Sequence, residues 1–340
     1  MAVEREALQE ALYYEVEGDV VRCVLCPKHC RIAEGKTGFC RVRRHEAGRL
    51  YATTYGRVTS VNLDPIEKKP LFHFYPGAAI LSIGTVGCNL SCSFCQNWEI
   101  SQEEVPTQSL SPREAVDLAR RYRDNIGIAF TYNEPLIWYE YLLDTARLAR
   151  EHDLKIVLVT NGMIEEPPLR ELLPYVDALN IDVKAMTQRF YGELCRGDAA
   201  TVRRTAEICH GEGKHIEVTN LVIPNWNDSD QDFRQLVEWT AGLSVDIPLH
   251  FSRYHPAYRL NEPATPLDTL LRAREIGQER LRYVYVGNVS LPGGEDTSCP
   301  GCGRVAVARR GFTATESHVV DGRCQHCGTG LNIIGEIRRC

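Results

Sequence analysis

The sequence predicts an α/β chain whose parallel strands form a barrel or a doubly wound sheet, with a small cysteine-bearing module at either end. Three observations predict it. Short β-branched runs alternate with helical patterns through the middle of the chain, and strand then helix, repeated, argues for parallel strands joined by crossovers. Most of the 14 cysteines fall into three groups spaced like metal ligands, not like the framework of a small secreted domain. A length of 340 residues accommodates one large α/β domain plus small modules.

In chain order, the opening MAVEREALQEALYYEVEGD (1–19) mixes charge into an amphipathic pattern that predicts a short helix. It has no apolar core and small-residue cleavage site of a secretory signal, so a cytoplasmic location is expected. Cys23, Cys26, Cys30 and Cys40 follow as C-x2-C-x3-C-x9-C. This module lies in a stretch (22–49) carrying eight Lys or Arg (Arg22, Lys28, Arg31, Lys36, Arg41, Arg43, Arg44, Arg49) against Glu34 and Glu46. It reads either as a solvated face or as a docking surface for an acidic partner. The runs ILSIGTV (80–86), IGIAFTY (126–132), LKIVLVTN (154–161), ALNIDVKA (178–185), KHIEVTNLVIP (214–224), VDIPLHFSRY (245–254) and LRYVYVGN (281–288) read as strands buried on both faces. Segments 112–124, 135–153, 200–212, 230–243 and 266–280 read as the helices between them. LPGGEDTS (291–298) is a linker into the last module. The expected divisions are 1–75, 76–292 and 293–340.

Polar residues recur where these strands end: Thr131, Asn133 and Glu134; Thr160 and Asn161; Asp182 and Lys184; Thr219 and Asn220; Ser252, Arg253 and His255. That is the end at which a (β/α) barrel builds its active site. A net charge of -6 argues against nucleic acid as the general partner, and no apolar run is long enough to span a bilayer.

The stretch VGCNLSCSFCQNW (86–98) places Cys88, Cys92 and Cys95 in eight positions with no fourth cysteine nearby. Closed structural metal sites take four protein ligands, whereas a centre that does chemistry keeps one position open. Three thiolates hold three irons of a [4Fe-4S] cluster and leave the fourth free for an outside ligand. A zinc site completed by a distant His is the competing reading.

The C-x3-C-x2-C pattern, with Phe94 directly before its last cysteine and after a first strand, resembles the radical SAM superfamily. The wider set CVLCPKHCRIAEGKTGFCRVR (23–43), GCNLSCSFCQNWEIS (87–101), TYNEP (131–135), VIPNWND (222–228) and HFSRYHP (250–256) resembles the AmmeMemoRadiSam system radical SAM enzyme, a relative of the pyruvate formate-lyase activating enzyme and other glycyl-radical activating enzymes. The resemblance implies a partial (β/α)6 TIM-type barrel of six parallel strands. It implies S-adenosylmethionine at the open iron, reductive cleavage to a 5'-deoxyadenosyl radical, and an electron donor such as a flavodoxin or ferredoxin. It implies association with AMMECR-type and Memo-like proteins without implying a reaction. Carried onto this sequence, it sets Phe94 against the adenine, Glu134 or nearby carbonyls at the amino group, and Asn161, Asp182 and Lys184 at the ribose and carboxylate. Tyr132, Arg253, Tyr254 and His255 would select the substrate, either a protein receiving a glycyl radical or a small molecule or nucleic-acid base.

At the far end, Cys299, Cys302, Cys324 and Cys327 form C-x2-C-x21-C-x2-C, the spacing of a zinc ribbon. The N-terminal four-cysteine group fits either zinc or an auxiliary iron-sulfur cluster. Cys195, Cys209 and Cys340 stand alone, and Cys195 falls on the active-site side of its strand. A zinc-rich scaffold without catalysis is the alternative class; the open triplet and the polar strand ends argue against it.

Overall fold

The computed structural model describes residues 9–338; residues 1–8 and 339–340, with Cys340, lie outside the described residues. Its centre is an eight-stranded sheet. The strands are β1 Ser60–Pro65, β2 Ala79–Gly84, β3 Asn125–Phe130, β4 Lys155–Thr160, β5 Ala178–Asp182, β6 His215–Val222, β7 Leu249–Arg253 and β8 Val284–Gly287. They lie side by side in chain order, with β1 and β8 at the two edges. From β2 to β8 every pairing is parallel, while β1 runs antiparallel to β2. Six helices occupy the crossovers in turn: α1 Pro112–Arg121, α2 Tyr139–Arg150, α3 Glu166–Leu172, α4 Ala199–Gly211, α5 Asp230–Leu243 and α6 Leu267–Gln278.

The continuous apolar runs explain the parallel pairing, since only a strand covered on both faces tolerates them. Alternate residues face the helices: Leu158 sits beside Leu179, and Ile181, Val218, Leu249 and Val284 follow across the sheet in register. Against that face α5 lays Phe233, Leu236, Val237 and Thr240, a helical stripe. Ser111 and Ser229 start α1 and α5 with capping boxes, their hydroxyls accepting from the amides of Glu114 (3.3 Å) and Asp232 (3.2 Å).

The other face is closed by the segment 66–78, whose Ile66, Leu71, Phe74 and Ala78 pack on Ile80, Ala129, Val157 and Ala178. Beyond this apolar patch the same face carries a buried polar cluster. Glu217 accepts from the Nε2 atoms of His215 (3.0 Å) and His250 (2.7 Å) and from the amide of His73 (2.7 Å). Burial alone would raise the Glu217 carboxyl, but these imidazole hydrogen bonds outweigh it and hold it below the usual carboxylate range. His73, fully enclosed, is pushed down to about 3 by desolvation.

Three expectations are corrected. The N-terminal segment is not a helix where it is described: Gln9–Glu10 pairs with Arg49–Ala52, and Tyr14–Glu17 forms a hairpin with Val20–Cys23. Partner strands override the helical propensity of its charged residues. The six parallel strands become seven, because six crossover helices need a strand at each end. Ser60–Pro65, expected within the N-terminal module, pairs instead with the central sheet.

Two small antiparallel sheets, Gln9–Glu10 with Arg43–Glu46 and Arg49–Ala52, and Tyr14–Glu17 with Val20–Cys23 and Arg31–Ala33, carry the N-terminal cysteines. At the other end, Thr297–Ser298, Val305–Arg310 and Thr313–Ser317 form a three-stranded antiparallel sheet. That module is tied back to the segment crossing the central sheet: Tyr75 donates to the Ile334 carbonyl (2.7 Å) and Ile334 to that of His73 (2.8 Å).

Candidate active site

Cys88, Cys92 and Cys95 lie on the loop leaving the C-terminal end of β2. Two glycines bring this loop close to its neighbours. A Cβ on Gly84 would stand 2.8 Å from the Thr131 carbonyl, and Gly87, at φ +89°, would meet the Cys40 carbonyl at 2.6 Å. The loop is pinned by its neighbours' backbones: Ser91 and Ser93 donate to the carbonyls of Cys195 (2.9 Å) and Leu194 (2.8 Å), and Arg259 donates to Ser93 (2.8 Å). Asn133, from the turn after β3, receives the Thr85 amide (3.2 Å) and donates to the Gly87 carbonyl (2.9 Å), clasping the strand-to-loop junction.

Cys92 is buried and Cys88 and Cys95 are partly buried, and all three thiols are raised. Burial followed by the nearby Glu134 charge raises Cys88; hydrogen bonding to Cys195 followed by burial raises Cys92; burial raises Cys95. Buried thiolates of this kind require an electrophile, and the donor set therefore fits a metal centre. Ser93 Oγ and Thr219 Oγ1 are buried without a hydrogen-bond partner among the described residues. Such orphans, one on the cysteine loop and one on the strand beside Asp182, fit a site that receives a polar ligand.

The polar residues at the strand ends converge here. Asn161, after β4, donates from Nδ2 to Cys88 Sγ (3.6 Å) and to Asn89 Oδ1 (3.0 Å). Lys184 pairs with Asp182 at 3.0 Å and stands 5.9 Å over the Phe94 ring. Burial works against the Lys184 charge, but Asp182 and the Cys92 and Cys195 sulfurs outweigh it and raise its pKa well above the usual value. The Lys184 backbone is fixed as well: its amide donates to Tyr191 Oη (3.0 Å), and Asn220 and Asn227 both donate to its carbonyl (3.1 and 2.7 Å).

Glu134 has its carboxylate turned inward. Oε1 accepts from the Leu136 amide (2.9 Å) and the Thr160 hydroxyl (2.7 Å), and Oε2 from the Asn161 amide (2.7 Å). Burial raises it to about 7. It clamps the ends of β3 and β4 together.

Two residues expected to select substrate are engaged elsewhere. Tyr132, at φ 73°, directs its hydroxyl to Asp64 Oδ2 (2.6 Å) on the edge strand β1. Tyr254 is fully buried, its hydroxyl on the Leu260 carbonyl (2.8 Å), and it packs its own loop. Arg253 Nε donates to Thr265 (2.9 Å), and His255 is exposed. Sequence reasoning missed Asn89 and the stacked pair Trp98–Tyr258, whose ring centroids are 5.3 Å apart beside the cysteine loop. The asparagine flanking the cysteines was the available signal for Asn89; nothing local marks Tyr258.

The two outer cysteine groups differ. Cys299, Cys302, Cys324 and Cys327 bring all their sulfurs within 4.8 Å of one another. The N-terminal four instead line one cavity. His29, near them, pairs with Glu165 at 3.0 Å.

Residues 82–239 match the family model of the Radical SAM superfamily. Uncharacterized protein MJ0808 of Methanocaldococcus jannaschii is 44% identical over 336 residues, covering 96% of this chain and 100% of that one. The pyruvate formate-lyase 1-activating enzyme of Escherichia coli (strain K12) is 22% identical over 175 residues, covering 50% of this chain and 71% of that one. Among solved structures, a radical SAM methyltransferase from Sphaerobacter thermophilus shares the fold with a TM-score of 0.51 at 21% identity, over 63% of this chain and 67% of that one. Streptococcus suis SuiB bound to S-adenosylmethionine shares it with a TM-score of 0.50 at 16% identity, over 62% and 52%.

Proposed function

The chain belongs to the Radical SAM superfamily, with relatives among the glycyl-radical activating enzymes, and from that premise we propose an enzyme that reductively cleaves S-adenosylmethionine at a [4Fe-4S] cluster on Cys88, Cys92 and Cys95 and acts on a protein substrate. The observation that carries this reading is the open triplet on the loop at the strand ends, with Asn161 on one of its sulfurs and Lys184 beside another. When bound, the cluster and S-adenosylmethionine supply a one-electron cleavage whose 5'-deoxyadenosyl radical abstracts hydrogen. The chain's own residues do the rest. Lys184, kept charged, offers a cation for a carboxylate. Asp182, with 37% of its side chain exposed, offers acceptors for hydroxyl groups. Phe94, 3% exposed, packs beside them and excludes water. Glu134 acts by positioning Thr160 and Asn161, which leaves the amino group of the cofactor to backbone carbonyls nearby.

A protein substrate is favoured because relatives named as activating enzymes act on one. Arg253 and His255 remain the candidates for contacting it. A flavodoxin or ferredoxin would donate the electron, and AMMECR-type and Memo-like proteins are the partners the resemblance supplies; a cytoplasmic location accords with both. The test is anaerobic reconstitution with iron and sulfide, then S-adenosylmethionine and dithionite. Formation of 5'-deoxyadenosine is expected, and its absence from cluster-loaded protein would overturn the reading.

Cys299, Cys302, Cys324 and Cys327 are assigned to one structural zinc. Their contacts of 3.5 Å (Cys299 to Cys327) and 3.9 Å (Cys302 to Cys324) match the roughly 3.8 Å edge of a tetrahedron with zinc–sulfur bonds of about 2.3 Å. The module's own buried cluster is small, Cys299, Ala306, Cys324 and Leu331 with Val319 and Ile333 packed against it, so the metal stabilises it. Cys302→Ser is expected to lower zinc by about one equivalent per chain and expose residues 297–338 to protease, with the central sheet intact. Unchanged zinc in the variant would count against the assignment.

A further inference from the structure

We propose that Asn89 and Asn161 form a relay that fixes one N–H on the Cys88 sulfur, so that Asn161 tunes the potential of the cluster and is not a ligand of S-adenosylmethionine. Asn89 is the positioning residue of the pair. The inference rests on the cluster proposed at Cys88, Cys92 and Cys95, and it departs from the resemblance, which sets Asn161 at the ribose and carboxylate of the cofactor.

The first ground is a count of donors. A carboxamide nitrogen carries two hydrogens and its oxygen carries none. Asn161 Nδ2 places one on Cys88 Sγ (3.6 Å) and the other on Asn89 Oδ1 (3.0 Å), while its Oδ1 accepts from the Met163 amide (2.8 Å). Nothing is left to donate to a carboxylate or a ribose oxygen. The reverse orientation of the amide is excluded by its neighbours, because it would set Oδ1 against Asn89 Oδ1 and present Nδ2 to the Met163 N–H. Asn89 is oriented in the same way. Its Nδ2 donates to the Met163 carbonyl (2.6 Å), so only its Oδ1 faces Asn161. Each side chain therefore dictates how the other lies.

The second ground is anchorage. Asn89 is 1% exposed and Asn161 6%, so water does not compete for their amides, and a hydrogen bond in such surroundings is electrostatically stronger than in solvent. The backbone beneath Asn161 is held too: its amide donates to Glu134 Oε2 (2.7 Å), and the next amide, of Gly162, to Thr160 Oγ1 (3.1 Å). Asn89 directly follows Cys88 in the chain, so the contacts close a ring from the sulfur through Asn161 back onto the same loop. Little freedom remains for the N–H to leave the sulfur.

The third ground is what a donor on sulfur does. A reduced cluster carries one more negative charge, so a hydrogen bond to its thiolate strengthens on reduction and raises the potential. Cys88 Sγ also receives the Leu90 amide (3.3 Å), a main-chain donor that a side-chain substitution leaves in place. Asn161 is thus the adjustable donor on this sulfur.

The test is a reductive titration of the native chain and of Asn161→Ala, each reconstituted anaerobically with iron and sulfide, with dithionite as electron source and no S-adenosylmethionine present. Paramagnetic resonance of the reduced cluster is the readout. At the native midpoint the reduced fraction should fall from half to about one tenth in Asn161→Ala, as loss of one hydrogen bond to a charged sulfur implies. Asn89→Ala should lower it in the same direction and by less. The double variant should fall no further than Asn161→Ala, since residues acting as a unit are not additive. The KM for S-adenosylmethionine should stay at its native value in both single variants. An unchanged midpoint in Asn161→Ala would overturn the proposal, and a raised KM beside it would return Asn161 to the cofactor. A native midpoint in Asn89→Ala beside a lowered one in Asn161→Ala would overturn the relay. Where Asn89→Ala does not fold, Asn89→Leu fills the space without an acceptor and carries the same expectation. Native protein with a reducible cluster and no 5'-deoxyadenosine would sink the catalytic reading alone, because the comparison of midpoints needs no turnover.

Discussion

Cys88→Ala/Cys92→Ala/Cys95→Ala is expected to form no measurable 5'-deoxyadenosine from S-adenosylmethionine and dithionite, a fall of more than about 10³-fold, or about 4 kcal/mol in the barrier. The size follows from what the three side chains do. Each sulfur is raised, Cys88 and Cys95 chiefly by burial and Cys92 first by its hydrogen bond to Cys195, so none is a thiolate without an electrophile to hold it. Removing them removes the centre itself, where a change at a supporting group such as Asn161 would leave it in place. The fold should survive. The loop is held by backbone hydrogen bonds to Leu194, Cys195 and Arg259 and by the Asn133 clasp, none of which uses a sulfur. Unchanged circular dichroism and C-terminal zinc would establish that the loss is chemical. Product formed at the native rate would show that the reductive step does not take place on these cysteines.

The alternation of strands and helices was legible because both periodicities are strong. All seven apolar runs became the parallel strands, and the helices expected from 112 and 230 start at those residues, each capped by the serine before it. Glu166–Leu172 escaped notice because Pro167 and Pro168 read as breakers. They sit in the first turn, where the amides have no intrahelical partner and proline costs little. The site was legible as far as residue type goes, since polar groups at strand ends need a reason to be there. Which way a side chain turns was not. Glu134 and Tyr254 lie where a ligand contact is expected, yet one clamps two strands and the other packs a loop. Cysteine spacing counts ligands without fixing how far apart the sulfurs stand, so zinc and a cluster could not be told apart at the N-terminus. The charge of the basic stretch is balanced in part by acids that precede it. Arg22 and Arg31 pair with Glu15 and Glu17, and Arg49 with Glu10, acids lying outside the window in which charge was summed.

Arg309→Ala is expected to lower unfolding stability by about 3–5 kcal/mol near pH 8, and by less near pH 5.5. Arg309 carries the C-terminal module back onto the central sheet. Its guanidinium donates to the carbonyls of Phe72 (2.7 Å) and Glu295 (3.0 Å) and to the Thr297 hydroxyl (2.8 Å), and it lies 3.5 Å from Glu67 Oε1. Both side chains of that ion pair are fully buried. Burial raises the Glu67 carboxyl above its ordinary 4.5 even with Arg309 there to lower it. A carboxyl raised in the folded state binds more protons than in the unfolded chain, so stability falls as pH climbs from the ordinary value through the raised one. Without the arginine, the raised value climbs further and that window widens upward. Lowering the pH protonates more of the carboxyl in the variant and relieves the uncompensated charge, so the deficit shrinks toward acid. The measurement is urea unfolding of both proteins at the two pH values, compared as a difference so that other titrating groups cancel. A deficit of equal size at both would mean that the three lost hydrogen bonds account for the damage and that Glu67 tolerates its burial alone.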